Sequence, residues 1–164
     1  MAFLRCDYLG GQPFDEVATT PQHPIGFIAR AQDPDNGNTQ TEFVYVQGVA
    51  GGGVGALVTI NKRTGTTALA TSRSKGPVGV LHGALTAGTF GWAAMSGSCR
   101  AQVTGTVAAG QQAYVSATAG KLTATVVLGD FVSGMAFASA DGVGGAGFAI
   151  VTLADPALTD SDNA

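Results

Sequence analysis

The stretch Gly83-Ala-Leu-Thr-Ala-Gly88-Thr-Phe-Gly-Trp-Ala-Ala-Met95 decides the fold class. Two glycines bracket a short turn, and a strand-like run carrying one large apolar residue, Trp92, follows. The second glycine is placed to supply the positive φ that a tight hairpin corner demands. The same pattern occurs at Gly48-Val-Ala-Gly-Gly-Gly53, followed by Leu57, and at Gly105-Thr-Val-Ala-Ala-Gly110, followed by Tyr114. In all three the large residue comes at the same distance after the second glycine, so Leu57, Trp92 and Tyr114 are read as core plugs. The spacing between units is irregular, which predicts a meander with similar corners and not a solenoid.

Working outward, the same alternation of turn and strand fills the rest of the chain. Strands are predicted at Glu42–Val46, Ala56–Ile60, Val78–Leu81, Gly91–Met95, Ala101–Val107, Ala113–Ala117, Leu122–Val127, Phe131–Phe137 and Phe148–Leu153. Glycine-rich turns separate them at the short, regular spacing of sandwiches and barrels. Alanine is abundant and favours helix on propensity. Yet no window holds an i, i+3, i+4, i+7 apolar pattern for three turns without a glycine, and each glycine costs a helix about 1 kcal/mol. The expected fold is all-β, an antiparallel sandwich or barrel built from hairpins.

Residues 1–40 read differently. They hold four of the six prolines (Pro13, Pro21, Pro24 and Pro34) and the turn signal Asp33-Pro-Asp-Asn-Gly37. Proline removes a backbone donor and fixes φ, which disfavours helix and ladder alike. The expected organisation is an extended proline-rich N-terminal arm over 1–40, with one strand at Gly26–Ala31, an all-β core domain over 41–155 and a flexible tail over 156–164. The arm's isolated apolar residues are candidate partner contacts, chiefly Phe3, Leu4, Tyr8, Phe14 and Phe27. The competing reading makes the arm simply the first strands of the same domain.

Apolar residues make up 45% of the chain and charged residues 12%, which excludes disorder and leaves a surface unusually poor in charge. Such a surface fits a protein whose exterior is covered in an assembly. Net charge is −3, and the basic residues form one loose group, Lys62, Arg63, Arg73 and Lys75. A nucleic-acid binder needs a denser stripe, so no direct nucleic-acid contact is expected. No signal peptide is evident at the start, and no apolar run is long enough for a transmembrane helix. Cys6 and Cys99 are too few to hold zinc; two free thiols are favoured, with a bridge between them left open.

Motifs that carry chemistry do not survive their context. Gly142-Val-Gly-Gly-Ala-Gly147 matches a dinucleotide fingerprint, but the strand-like Phe148-Ala-Ile-Val-Thr-Leu153 follows where a helix is required. Gly51-Gly-Gly-Val-Gly55 lacks the Lys-Ser/Thr of a phosphate loop. His23 and His82 are the only candidate bases, and no nucleophile elbow surrounds any serine. Asp130 and Asp141, the only acids between residues 43 and 154, sit at turn positions. Tyr45, Trp92 and Tyr114 are better read as packing than as a sugar platform. No catalytic residue, cofactor or metal site is expected, and the chain is read as a non-enzyme.

The segment Gly83–Gly97 resembles a hairpin signature of small virion proteins of tailed bacteriophages, the capsid decoration or cement proteins. Pro77-Val-Gly-Val80 fits the strand that precedes it. Ala108-Ala-Gly-Gln-Gln-Ala-Tyr-Val-Ser-Ala-Thr-Ala-Gly-Lys-Leu-Thr-Ala124, Val132-Ser-Gly-Met135 and the opening Thr41-Glu-Phe-Val-Tyr-Val46 continue it, so the resemblance spans about residues 41–153 and leaves the arm unmatched. It implies a structural protein made in the host bacterial cytoplasm and placed on the virion's capsid surface. The implied partners are the phage major capsid protein and sister copies in a homotrimer, with no membrane and no direct nucleic acid. The alternatives are a phage tail, fibre or receptor-binding β module, and a bacterial carbohydrate-binding β-sandwich.

Overall fold

Residues 43–46 show why the chain folds in layers. Phe43 and Tyr45 point into one apolar cluster and Val44 and Val46 into another, as alternate residues of a strand must. All four are buried, so this strand is covered on both faces.

The computed structural model describes residues 3–4, 12–33, 36 and 38–158, and only the backbone of residues 3, 4, 12, 38 and 39. Strands account for 49% of the structure and helix for 1%, which makes the protein all-β. The strands are β1 (Phe3–Leu4), β2 (Gln12–Pro13), β3 (Ile28–Asp33), β4 (Asn38–Gln47), β5 (Leu57–Ile60), β6 (Thr67–Leu69), β7 (Gly76–Leu81), β8 (Phe90–Ala94), β9 (Ser96–Gln102), β10 (Gln112–Val115), β11 (Leu122–Thr123), β12 (Phe131–Phe137) and β13 (Phe148–Leu158).

The pairings between these strands are antiparallel. One group runs β6-β5-β7-β8-β4-β3 and the other β11-β10-β12-β13-β9. They join where the end of β13 crosses to β7, pairing Ala157 with Pro77 and Leu158 with Gly76. The sheet is open, consistent with a sandwich. Between the groups lies the main core, with Phe43, Tyr45, Leu57, Val80 and Trp92 from one side and Val115, Leu122, Phe137 and Val151 from the other. A second cluster on the far face of the first group holds Val44, Val46, Val58, Ile60, Leu81, Leu85 and Met95.

The hairpin corners follow the glycines with one shift. Gly88 and Gly110 have φ of 81° and 84°, as their turns require. In the first unit the positive φ falls on Gly51 and Gly55, not on Gly53. At Gly134, φ is 69° and a Cβ would meet the Ala154 carbonyl oxygen at 2.4 Å, so the β12 bulge admits no side chain.

Several strand boundaries differ from expectation. The strand expected at 101–107 is β9 at 96–102, because Ser96, Gly97 and Ser98 pair with Ala154, Leu153 and Thr152 of β13. Pairing with a long neighbour outweighs the low strand propensity of these residues. The run expected over 122–127 is cut to β11, and residues 124–130 form a loop. β6 carries no strong signal and owes its place to pairing with β5. β13 runs past the expected end of the core: Leu158 is buried and pairs with Val132 and Gly76. The rest of the tail, residues 159–164, lies outside the described residues.

Part of the N-terminal segment joins the main sheet, while β1 and β2 pair only with each other. β3 pairs with β4 from Ile28–Val44 to Asp33–Asn38. Ala18 and Phe90 exchange both backbone hydrogen bonds, at 2.9 and 2.8 Å. The division expected at residue 40 falls inside β4.

Candidate functional site

The structure sorts the predicted residues into inside and outside. Leu57 and Trp92 are fully buried, as plugs should be. Tyr114 is only half-buried, and its ring faces Phe131 at 6.0 Å. Its strand neighbours Ala113 and Val115 take the core positions, and the period of two turns Tyr114 to the other face. Phe14, expected to meet a partner, is 3% exposed and stacks on Phe43 at 5.0 Å, so it belongs to this chain's own core. Phe27 is half-buried in an aromatic cluster, stacked on His23 at 5.7 Å and edge-on to Trp92 at 6.3 Å. Tyr8 and Cys6 lie outside the described residues, as do the side chains of Phe3 and Leu4.

One polar constellation forms that the sequence did not announce. His82 Nε2 lies 3.3 Å from Asp33 Oδ2, with both side chains almost wholly buried. The imidazole is wedged edge-on between Phe14 and Phe43, at 4.5 and 5.2 Å. The Asn36 side-chain amide also donates to Asp33. The buried thiol of Cys99 is pushed up, first by burial and then by the Asp33 carboxylate. A thiol held protonated is a poor nucleophile, because the thiolate does the chemistry. The Asp33 carboxylate thus has a buried imidazole beside it and a buried thiol within its field. Their joint effect is to fasten the end of β3 to the end of β7.

That fastening has a measurable cost. Removing one partner of the pair deprives the other of a buried contact, so His82→Ala and Asp33→Ala should each destabilise by about 1–3 kcal/mol. The double variant should cost clearly less than the sum. Denaturant unfolding of the four proteins measures the coupling, and strictly additive losses would show that the pair does not interact.

Two further acids, Asp130 and Asp141, serve the backbone. Asp130, 2% exposed, accepts a hydrogen bond from the Arg73 N–H at 2.6 Å and ties the β6–β7 loop to the β11–β12 loop. Asp141 accepts from the Val107 N–H at 3.2 Å. Gly142 and Gly145 bridge within a turn that leads into β13, a strand where a dinucleotide site needs a helix. Among the described residues no cluster of three or more His, Cys, Asp or Glu is placed to hold a metal ion. No helix among them is long and apolar enough to cross a membrane.

Among the described residues, large apolar side chains reach the outside at Val17, Ile25, Ile28, Val126, Leu128 and Val143, and two places stand out. The first is a groove of about 200 Å³ lined by Ile28, Val44, Ile60 and Met95, with Glu42, Lys62 and Asp155 also on its walls. Ile28 is 54% exposed beside it, and Arg30 bridges to Glu42 at 3.2 Å. The second is the loop after β11, where Val126 is 68% and Leu128 82% exposed. Sequence reading placed Val126 in a strand and so missed this tip. The signal available was Val126-Val-Leu-Gly129, an apolar run ending on a glycine with no alternation to assign it a face.

No protein-family model matches this chain, and neither a curated protein nor a solved structure is significantly similar to it.

Proposed function

We propose that this chain is a non-enzymatic assembly module of a virion. More particularly, it acts as a capsid decoration protein of a tailed bacteriophage, binding the outer surface of the major capsid protein and stabilising the shell. The observation that carries this reading is the contrast between a sealed interior and two apolar surfaces left outside it. His82, Asp33 and Cys99 are almost wholly buried and Asp130 and Asp141 are bonded to backbone, whereas Ile28, Val126 and Leu128 face solvent. Apolar patches on an otherwise well-packed domain mark protein contacts. The hairpin signature at 83–97 and 108–124 adds the virion context. The mechanism is area: weak contacts, repeated by capsid symmetry, gain strength through multivalency.

The test mixes the protein with purified capsids of the phage that encodes it, stripped of their own copies, and sediments them. Saturable co-sedimentation at a fixed ratio to the capsid subunit is expected, together with greater resistance of the shell to heat. Protein left in the supernatant would exclude the decoration role, and sedimentation with isolated tails instead would assign it to the tail.

A further inference from the structure

We infer that the exposed tip at Val126 and Leu128 is a peripheral membrane anchor. It seats on a bilayer surface rich in anionic phospholipid, with the two apolar side chains at the acyl boundary and nearby cations on the headgroup phosphates. The inference goes beyond the assembly reading, stands without it, and departs from the membrane-free role that the resemblance implies. It gives one of the two outer apolar places a lipid partner and leaves the other, around Ile28, to the shell.

Val126 and Leu128 are 68% and 82% exposed, more than any other large apolar side chain among the described residues. They stand two positions apart on the loop between β11 and β12. Most of their apolar area is still in water, so docking has that area to remove.

The loop is braced from within. Thr125 N–H donates to Thr123 Oγ1 at 3.1 Å, and Asp130 N–H donates to the Val127 carbonyl at 3.2 Å. The Asp130 carboxylate accepts from the Arg73 N–H at 2.6 Å. Backbone groups bonded within the protein can approach hydrocarbon without forfeiting a hydrogen bond. A fixed tip also loses little freedom on docking.

Charge selects the kind of surface. Three loops are laced into one end of the molecule. Asp130 ties the tip to the β6–β7 loop, and Gly120 N–H ties the β10–β11 turn to the Ala70 carbonyl at 2.8 Å. These loops carry exposed Arg73 and Lys75 and half-buried Lys121. Their one acid is Asp130, which is 2% exposed and turned to backbone. No acid occurs anywhere from residue 43 to residue 129, and the other polar side chains on the three loops are serine and threonine.

Cations alone would suit any polyanion. The apolar pair decides for lipid, because a nucleic acid offers phosphates but no acyl layer to receive Val126 and Leu128. A bilayer interface offers both, with anionic headgroups above hydrocarbon. One anchor of this size is weak, and it gains strength when many copies face one membrane.

Placement leaves the tip available. The N–H of Leu57, at the start of β5, donates to the Gly120 carbonyl in the tip's end of the molecule, while Ile60, at the other end of β5, lines the groove with Ile28. A contact at Ile28 therefore leaves the tip uncovered.

The experiment sediments the whole chain with vesicles of phosphatidylglycerol and phosphatidylcholine in equal parts, and with vesicles of phosphatidylcholine alone. The anionic vesicles should bind about a hundredfold more tightly, at about fivefold for each of three cations, and high salt should remove that advantage. Leu128→Asp should lose vesicle binding with an unchanged thermal melt. Arg73→Gln keeps the backbone N–H that Asp130 holds and should weaken binding about fivefold. No binding to anionic vesicles, equal binding to both kinds, or undiminished binding by Leu128→Asp would each overturn the inference. So would duplex DNA bound as tightly as the vesicles at equal phosphate, since the cations alone would then make the contact. Capsid co-sedimentation keeps the two readings apart. Leu128→Asp that loses vesicles and keeps capsids supports the anchor. A parent protein that ignores vesicles, with a Leu128→Asp variant that loses capsids, makes the tip a shell contact, ends the inference and leaves the decoration role standing.

Discussion

A chain that begins at Thr41 should not fold. The deletion removes β3, and with it the hydrogen-bonded edge of β4 from Val44 to Asn38. It also removes Phe14, Ala18, Ala29, Ala31 and Asp33 from the interior. Phe43 loses its stacked partner, and His82 loses both its carboxylate and one of its two flanking rings. The largest single loss, Phe14, costs about 3–5 kcal/mol by truncation alone, and total stabilities are commonly about 5–15 kcal/mol. The expected result is a protein with no cooperative thermal transition and with exposed apolar surface that binds a hydrophobic dye. A sharp melt within about 4 °C of the full chain, the shift that roughly 1 kcal/mol produces at this length, would show residues 1–40 to be a separable arm after all.

This expectation departs from the separable arm that the sequence suggested, and the reason is physical. Pro13 ends the two-residue β2, prolines at 21 and 24 keep the backbone out of regular ladders, and the structure has only short bridges and turns over 14–27. What proline cannot report is where the intervening side chains go. Phe14 finds its site against Phe43 and His82, which are distant in sequence and joined only when β4 and β7 are in place. β3 reads as polar, Ile-Ala-Arg-Ala-Gln-Asp, because its buried face is made of the small residues Ala29 and Ala31. Alternation was present, but alanine is too weak a signal to mark it as a core strand.

The hairpin grammar was legible because local chemistry enforces it. Glycines at 88 and 110 are needed for their φ whatever the rest of the chain does. Strands that alternate large and small residues, such as β4 and β12, appeared within a few residues of their predicted bounds. The exterior was illegible for the opposite reason. Whether Val126 and Leu128 face water, and whether Ile28, Ile60 and Met95 share a groove, depends on register across β3, β4, β5 and β8. The Asp33–His82 pair is hidden likewise, since 49 positions separate its members and only the strand pairing brings them together.

Trp92→Ala should be the most damaging single substitution in the core. The indole is fully buried and is surrounded by Tyr45 at 5.0 Å, His23 at 5.3 Å and Phe27 at 6.3 Å, so its removal leaves a large void lined by rings that cannot close over it. The expected cost is about 3–5 kcal/mol, read from the shift of the denaturation midpoint at constant slope. Trp92→Phe should cost far less than its loss of volume implies. The indole N–H is buried with no acceptor among the described residues, and deleting an unsatisfied donor recovers about 1–3 kcal/mol of desolvation. The pair of variants separates packing from polarity. If Phe costs nearly as much as Ala, the N–H is satisfied in solution and the site depends on a hydrogen bond. If both substitutions are mild and the native protein fluoresces at a water-like wavelength, Trp92 is exposed and the hairpin does not plug the core.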